Sequence, residues 1–203
     1  MQRILVGLEG VECQMDDILV FEECHKQHDT RLEAVLSRLE ENGITLNLEK
    51  YEFAAEKVEF LGHRIGKDGI EVDPSKIEAV QQMKAPSDVP ELRRFLGKAN
   101  QMGKYLPNLA QTSKPLRDLL SKQSAWVWDD LQQKAFEEIK KQLTSAPVLA
   151  IYDLHSETTV SADASSYGIG AALSQKQPEG DWKPVVFISR AFTSTEQRYI
   201  CSN

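Results

Sequence analysis

The sequence predicts a fold of the α+β class, with helices and strands in separate stretches. Apolar and polar residues alternate up to about residue 72 and again after Pro147, whereas between these stretches apolar residues recur at helical spacing. A length of 203 residues suits one domain or two small ones. The composition, 41% hydrophobic and 27% charged, is typical of a globular protein and excludes collagen, disordered tails and disulfide scaffolds.

The first 72 residues are predicted to form a hairpin, one helix and further strands. Asp16 and Asp17 lie at the predicted hairpin tip, and Asn42-Gly43 ends the helix. A turn at 66–69 returns the chain into a last short strand. The predicted strands are 11–15, 18–21, 44–48, 58–65 and 70–72, and the predicted helix runs over about 24–42.

The middle of the chain is predicted to be helical. Asp73-Pro74 supplies an N-cap and a first-turn proline, and Asp88 and Glu91 have the spacing of a capping box. The helix after Asp88 has two contrasting faces. One face is apolar (Leu92, Phe95, Leu96, Ala99) and the other is basic (Arg93, Arg94, Lys98). Two further helices are predicted, one through Leu116, Leu119 and Leu120 and one over 132–143.

After Pro147 the pattern favours three strands, over 158–162, 169–174 and 184–189, separated by turn residues. Cys13, Cys24 and Cys201 have neither zinc-site spacing nor a secretory signal, so they are interpreted as free thiols in a reducing compartment. With no apolar run long enough to span a bilayer, we expect no membrane partner and an intracellular location, cytoplasmic or nuclear.

The net charge of −7 at first argues against a nucleic-acid partner, because binding phosphates requires cations. The charge is unevenly distributed, however. Residues 73–122 hold nine Lys and Arg against five Asp and Glu, a net charge of +4, between flanks of −8 and −3. On charge alone, a solvated helical face is favoured over a phosphate-binding one.

The adjacent carboxylates of Asp16 and Asp17 are a candidate metal site. Like charges held together at a turn favour a nearby divalent cation, and oxygen ligands suit Mg²⁺. The alternative is a solvent-exposed acidic turn. For an isolated Asp-Asp pair the alternative is favoured, because the dipeptide is common.

The residues around this pair favour the metal site over the solvent-exposed acidic turn. Gln14-Met15-Asp16-Asp17 resembles the Tyr-x-Asp-Asp box of reverse transcriptases, and its surroundings resemble the gypsy-type LTR retrotransposons. The likeness continues in matching order from about residue 7 to residue 199. The further segments that carry it are Phe60-Leu61-Gly62-His63, Arg93-Arg94-Phe95-Leu96-Gly97, Trp126-Val127-Trp128, Ala135-Phe136, Ala146-Pro147-Val148-Leu149, Ser161 to Gly168, Ser189-Arg190 and Thr195 to Tyr199.

The resemblance implies roles for individual residues. Asp16 and Asp17 would be catalytic metal ligands of a polymerase palm that uses two Mg²⁺, or Mn²⁺ in their place. Lys50 would be a general acid toward pyrophosphate. A primer-grip hairpin that positions the primer end would be formed by Phe60, Leu61, Gly62 and His63.

The same resemblance extends to the rest of the chain. Arg93, Arg94 and Lys98 lie where the family has its thumb, which makes them candidate phosphate contacts. Asp163 matches the first catalytic and metal-binding aspartate of the ribonuclease H domain. The three aromatic residues of the linking region are expected to pack rather than to stack on bases (Trp126, Trp128, Phe136).

The implied architecture is the C-terminal part of a reverse transcriptase palm with a helical thumb, followed by a truncated ribonuclease H-like α/β sheet. The expected segments are a palm over 1–72, a thumb or connector over 73–122, a linking helix region over 123–150 and the ribonuclease H-like start over 151–203. The family's fingers would precede Met1 and the remaining ribonuclease H acids would follow Asn203. Glu196 is not expected to replace those acids.

The implied function of the parent protein is RNA-directed DNA polymerisation with ribonuclease H activity. Its expected partners are an RNA template, a DNA primer, the RNA–DNA hybrid and deoxynucleoside triphosphates, and retrotransposon particles are a further expected location. The alternative is an inactive remnant that at most binds nucleic acid or a partner. The sequence departs from the family pattern in three ways: Gln14 stands where most members have tyrosine, 100–105 lacks the paired tyrosines of many thumbs, and both ends are expected to be cut.

Overall fold

The computed structural model describes residues 2–22, 24–121 and 125–200. The chain divides into two compact units, 1–62 and 63–203. Helices and strands both occur in separate stretches, so the predicted α+β class is confirmed. Cys201 and the predicted boundary between residues 122 and 123 lie outside the described residues, whereas Cys13 and Cys24 are free thiols.

The first unit contains a hairpin, a long helix and one further strand. Strands β1 (Val11–Gln14) and β2 (Asp17–Val20) pair in antiparallel fashion and precede helix α1 (His25–Glu41). A 3₁₀ turn (Leu48–Lys50) and strand β3 (Lys57–Phe60) follow. The small core forms where α1 buries one face against the hairpin, and its buried members are Leu5, Val35 and Leu39.

Two sequence predictions are wrong in this unit. The hairpin turn consists of Met15 and Asp16 rather than of Asp16 and Asp17, because Asp17 already pairs with Gln14 as the first residue of β2. The predicted strand over 44–48 does not form. Asn47 instead caps the 3₁₀ turn, since its side-chain oxygen accepts a hydrogen bond from the Glu49 amide at 3.0 Å.

The second unit opens with a hairpin of β4 (His63–Gly66) and β5 (Gly69–Val72), joined by the turn predicted at 66–69. Gly69 has φ +126°, and a Cβ there would overlap the Leu149 carbonyl oxygen, so only glycine fits. The predicted single strand over 58–65 is wrong. Leu61 and Gly62 have positive φ and divide it into β3 and β4.

Five helices follow, and those predicted from the sequence form, except that the helix predicted through Leu116, Leu119 and Leu120 ends at Asp118. They are α2 (Pro74–Gln81), α3 (Val89–Gln101), α4 (Leu109–Thr112), α5 (Lys114–Asp118) and α6 (Asp130–Thr144). The caps form as predicted: Asp73 accepts from the Ser75 amide and Asp88 from the Glu91 amide, both at 2.8 Å. The Glu91 carboxylate accepts hydrogen bonds from the amide and hydroxyl of Ser87, rather than from the Asp88 amide as in a capping box.

The main core lies between α3 and α6. Leu92, Phe95 and Ala99 are fully buried on α3, and the Phe95 ring packs on Phe136 of α6 with centroids 4.6 Å apart. Trp128 meets the edge of Phe136 and stacks with Trp126, and both tryptophans are partly buried against this core. Packing, as predicted, is therefore what these aromatic residues do.

The three predicted C-terminal strands form, and they pair as an antiparallel sheet in the order β6-β7-β8. Its strands are β6 (Thr158–Ala164), β7 (Gly168–Lys176) and β8 (Trp182–Ala191). The sheet attaches to the helices through β8, where Phe187 packs on the core and the Ser189 hydroxyl accepts from the Ala110 amide at 3.0 Å. Every residue of β6 is exposed.

A seventh helix, α7 (Ser194–Ile200), was not predicted. Thr193 and Glu196 form a capping box at its start: the Glu196 carboxylate accepts from the Thr193 amide at 2.7 Å. Glu196 also accepts two hydrogen bonds from Arg190, at 3.0 and 2.8 Å. Within the described part of the chain, no helix is both long and apolar enough to cross a membrane.

Candidate functional site

The acidic pair lies on the exposed hairpin of the first unit. Asp16 is the second residue of the two-residue turn and Asp17 begins β2, so their carboxylates stand at consecutive exposed positions. Met15 precedes them with φ +53°, a left-handed conformation that costs a non-glycine residue about 1–2 kcal/mol. The register of the hairpin thus presents both carboxylates at a tightly constrained corner.

These two carboxylates match the hard oxygen ligands that Mg²⁺ prefers. Across residues 2–22, 24–121 and 125–200, no cluster of three or more His, Cys, Asp or Glu side chains could hold a metal ion. The pair therefore fits a cation that keeps most of its water or takes further oxygen ligands from a bound phosphate.

The remaining candidates of the first unit are Lys50, Phe60, Leu61 and Gly62. Lys50 ends the 3₁₀ turn and is exposed. Phe60 ends β3 and is partly buried, whereas Leu61 is 52% exposed. Leu61 and Gly62 adopt φ values of +52° and +72°, so this turn holds an apolar side chain in solvent.

His63, the fourth residue of the candidate primer grip, opens the second unit and contacts Tyr105. The Tyr105 hydroxyl lies 2.9 Å from His63 Nδ1 and donates to the Glu71 carbonyl oxygen at 2.8 Å. Tyr105 is fully buried in a 3₁₀ turn (Gly103–Tyr105) after α3. A residue 42 positions away in sequence therefore holds the His63 ring.

The electrostatic surroundings keep this His63 ring neutral. The pKa of His63 is lowered from 6.5 to about 4, mainly by burial and also by the charges of Lys104 and Lys76, whereas Asp73 acts in the opposite direction. Burial, and then Lys76, also lower the pKa of Lys104, whose ammonium lies 5.2 Å from the Tyr105 ring centroid. Two lysines therefore give the His63 region a positive potential.

Helix α3 presents the candidate phosphate contacts. Arg93 and Arg94 are exposed and Lys98 is partly exposed, on the face opposite the buried core residues. Among the described residues, none forms an ion pair with these three cations. Gly97 lies one turn after Arg93, and an added Cβ there would meet no heavy atom within 4 Å. Helix α3 therefore presents exposed cationic side chains. Between them, at Gly97, no side chain covers the helix backbone.

Asp163 lies near the end of β6, opposite Gly170. It is exposed and its Oδ1 accepts from the Ala164 amide at 2.9 Å. A narrow cleft beside it is otherwise lined by neutral residues, including Asn108, Gln111 and Ser189. No second carboxylate lines this cleft in the described part of the chain, so Asp163 offers a metal one protein ligand there.

Two residues of these surfaces were not identified from the sequence. Tyr105 resembles a core aromatic residue in its helical context, and only the fold reveals its contact with His63. Gly97 was noted only as part of a motif. Its position in the middle of an amphipathic helix could have singled it out, because glycine there costs about 1 kcal/mol relative to alanine.

Comparison with known families and proteins supplies a second line of information. Residues 2–65 match the family model "Reverse transcriptase (RNA-dependent DNA polymerase)". Residues 128–202 match the model "RNase H-like domain found in reverse transcriptase". The two matches lie in the order that the sequence resemblance implies.

Relatives and solved structures agree with these matches. The chain is 35% identical over 193 residues to the transposon Tf2-3 polyprotein of Schizosaccharomyces pombe, covering 95% of this chain and 14% of that polyprotein. The Tf2-7 polyprotein of the same organism is 34% identical over the same shares. The chain thus spans about one seventh of the length of these relatives.

Foamy viral protease-reverse transcriptase structures resemble 97% of this chain at 28% identity. The complex with an RNA/DNA hybrid has a TM-score of 0.82 over 27% of that chain. The complex with dsDNA has a TM-score of 0.84 over 41% of that chain.

Proposed function

We propose that the chain is part of a Pol polyprotein of an LTR retrotransposon, and that it serves RNA-directed DNA synthesis and degradation of the RNA strand of hybrids. In this proposal 1–72 belong to the polymerase palm and 73–122 to the thumb. Residues 123–150 link these to a ribonuclease H-like segment over 151–203. The partners are an RNA template, a DNA primer and their hybrid, with deoxynucleoside triphosphates as substrates.

The observation that carries the proposal is the basic face of α3. Its opposite face is anchored by fully buried Leu92, Phe95 and Ala99, so Arg93, Arg94 and Lys98 project from a rigid support. Cations without ion-pair partners among the described residues can bind phosphates without first breaking an internal contact. Gly97 would allow a sugar-phosphate backbone to lie close to the helix axis.

A divalent metal would be held by Asp16 and Asp17, with water and substrate phosphates completing its coordination shell. When bound, a pair of such ions supplies Lewis-acid stabilisation of the attacking and leaving oxygens of nucleotidyl transfer. The constrained turn at Met15 keeps both carboxylates at the corner, and Lys50 is the candidate proton donor to pyrophosphate. Asp163 is the candidate metal ligand of the ribonuclease H-like segment.

The test is fluorescence-anisotropy binding of a labelled RNA–DNA hybrid and of dsDNA over a range of salt concentrations. The combined variant Arg93→Ala, Arg94→Ala and Lys98→Ala should bind more weakly. Its log–log salt slope should fall by up to about three, since each lost phosphate contact removes roughly one unit. The matched control removes three exposed lysines outside 73–122, Lys26→Ala, Lys134→Ala and Lys141→Ala. Equal effects of the two triple variants would contradict a binding role for α3.

A further inference from the structure

The hydrogen bonds of Tyr105 determine which nitrogen of His63 carries the proton. The Glu71 carbonyl oxygen can only accept, so the single hydroxyl proton of Tyr105 is donated to it at 2.8 Å. The remaining contact, 2.9 Å from the same hydroxyl oxygen to His63 Nδ1, then requires that Nδ1 carries a proton and donates it. If Nδ1 were bare instead, the oxygen would face two acceptors with one proton.

We infer that Tyr105 is a positioning residue that fixes His63 as the neutral Nδ1–H tautomer, and that His63 Nε2 accepts a hydrogen bond from a hydroxyl or amino group of the bound nucleic acid. A neutral ring with a protonated Nδ1 has its lone pair on Nε2. Such a nitrogen cannot donate to phosphate, which separates His63 from the phosphate-binding role of the basic side chains on α3. The nucleic-acid partner rests on the proposed function, whereas the tautomer does not.

The surroundings support this assignment. Tyr105 is fully buried, and its ring is tilted against that of His63 with centroids 5.8 Å apart, so the hydroxyl has little freedom to turn away. The lysines nearby, Lys76 and Lys104, disfavour a second proton on the ring. His63 itself is only partly buried, so its ring remains accessible to a ligand.

The tautomer can be measured on the free chain by long-range ¹H–¹⁵N correlation of the histidine rings at neutral pH. The expected spectrum gives His63 Nδ1 the shift of a protonated nitrogen and Nε2 that of an unprotonated one. In Tyr105→Phe the acceptor is lost, so the Nδ1–H form should give way to Nε2–H or to a mixture. Nε2–H in the unmodified chain, or Nδ1–H persisting in a folded Tyr105→Phe variant, would overturn the role of Tyr105.

The acceptor role is tested by anisotropy with an RNA–DNA hybrid and with dsDNA of the same sequence. His63→Leu should weaken binding roughly three- to tenfold, as expected for one hydrogen bond, whereas the exposed control His155→Leu should not. A loss confined to the hybrid identifies the donor as a ribose 2′-hydroxyl, and a loss with both duplexes identifies a terminal hydroxyl or base amino group. No loss with either would overturn the acceptor role.

A chain that binds neither duplex would contradict the proposed function and the acceptor role together. The spectrum of the free chain would still decide whether Tyr105 fixes the tautomer. A failure of the proposed nucleic-acid binding can therefore be distinguished from a failure of the tautomer assignment.

Discussion

At the scale of single residues, a substitution at Gly97 is expected to have opposite effects on stability and on nucleic-acid binding. Gly97→Ala should raise the free energy of unfolding by about 0.5–1 kcal/mol, because alanine is the better helix former and its Cβ would meet nothing within 4 Å. The same methyl group should weaken nucleic-acid binding by holding the sugar-phosphate backbone away from α3. Urea denaturation and duplex-binding anisotropy would measure the two effects.

The control for this substitution is Gly69→Ala. Gly69 has φ +126° and its Cβ would overlap the Leu149 carbonyl, so this variant should lose stability. Stabilisation of Gly97→Ala with unchanged affinity would show that the duplex does not approach α3 closely at this position.

His63 should also make stability depend on pH. Its pKa is about 4 in the folded chain against 6.5 for an ordinary histidine, so the unfolded state binds more protons between these values. Stability is therefore fully present above about pH 6.5 and falls as the pH is lowered toward 4. Because the ring is only partly buried, we expect a contribution of about 1–2 kcal/mol, less than the shift alone would give.

Thermal unfolding between pH 4 and pH 7.5 would measure this contribution. His63→Gln should flatten the profile over that window. Parallel profiles for the unmodified chain and His63→Gln would mean that the folded state does not disfavour protonation of His63.

At the scale of elements, helices with caps were predictable and contacts between distant segments were not. The signals for α2 and α3 are local: Asp73 and Asp88 each accept an amide hydrogen bond at the helix start, whereas the matching cap of α6 at Asp129 was not identified from the sequence. The predicted strand over 44–48 failed because alternation does not supply a partner strand, and the Asn47 side chain stabilises a 3₁₀ turn instead.

The candidate site also contains both features that local sequence predicts and features that depend on distant contacts. The placement of Arg93, Arg94 and Lys98 on one exposed face follows from helical spacing, and the sequence predicted it. The one-residue shift of the hairpin turn did not follow from the pattern, because it depends on Met15 adopting a left-handed conformation without a glycine. The contact between Tyr105 and His63 depends on the fold of the whole second unit.

The sheet predicts uneven hydrogen exchange. Strand β6 is an edge strand with all seven residues exposed, whereas α3 and α6 bury several residues completely. Amides of β6 should therefore exchange much faster than those of α3 and α6, since little buried surface opposes local opening. Mass-spectrometric exchange on the intact chain would check this. Equal protection of 158–164 and 92–99 would contradict the expectation that the exposed strand β6 opens more readily than the buried helices.

At the scale of the whole molecule, charge is distributed unevenly along the chain. The chain carries −7 overall, yet 73–122 carry +4, with nine Lys and Arg against five Asp and Glu. Under the proposed function, a duplex would be attracted to this stretch more strongly than to the acidic flanks. A cation at the acidic pair would lower the repulsion around Asp16 and Asp17.

The last prediction concerns how firmly this chain alone holds a metal. The described residues bring together no cluster of three potential ligands, and Asp16 and Asp17 are exposed to competing water. We therefore expect weak Mg²⁺ or Mn²⁺ binding, on the order of millimolar or weaker, and no template-dependent primer extension. Paramagnetic broadening by Mn²⁺ should centre on residues 15–17 and be lost in the variant Asp16→Asn with Asp17→Asn. The exposed control Asp29→Asn should retain it, and tight binding or extension that Asp16→Asn abolishes would mean that ligands outside this pair complete the site.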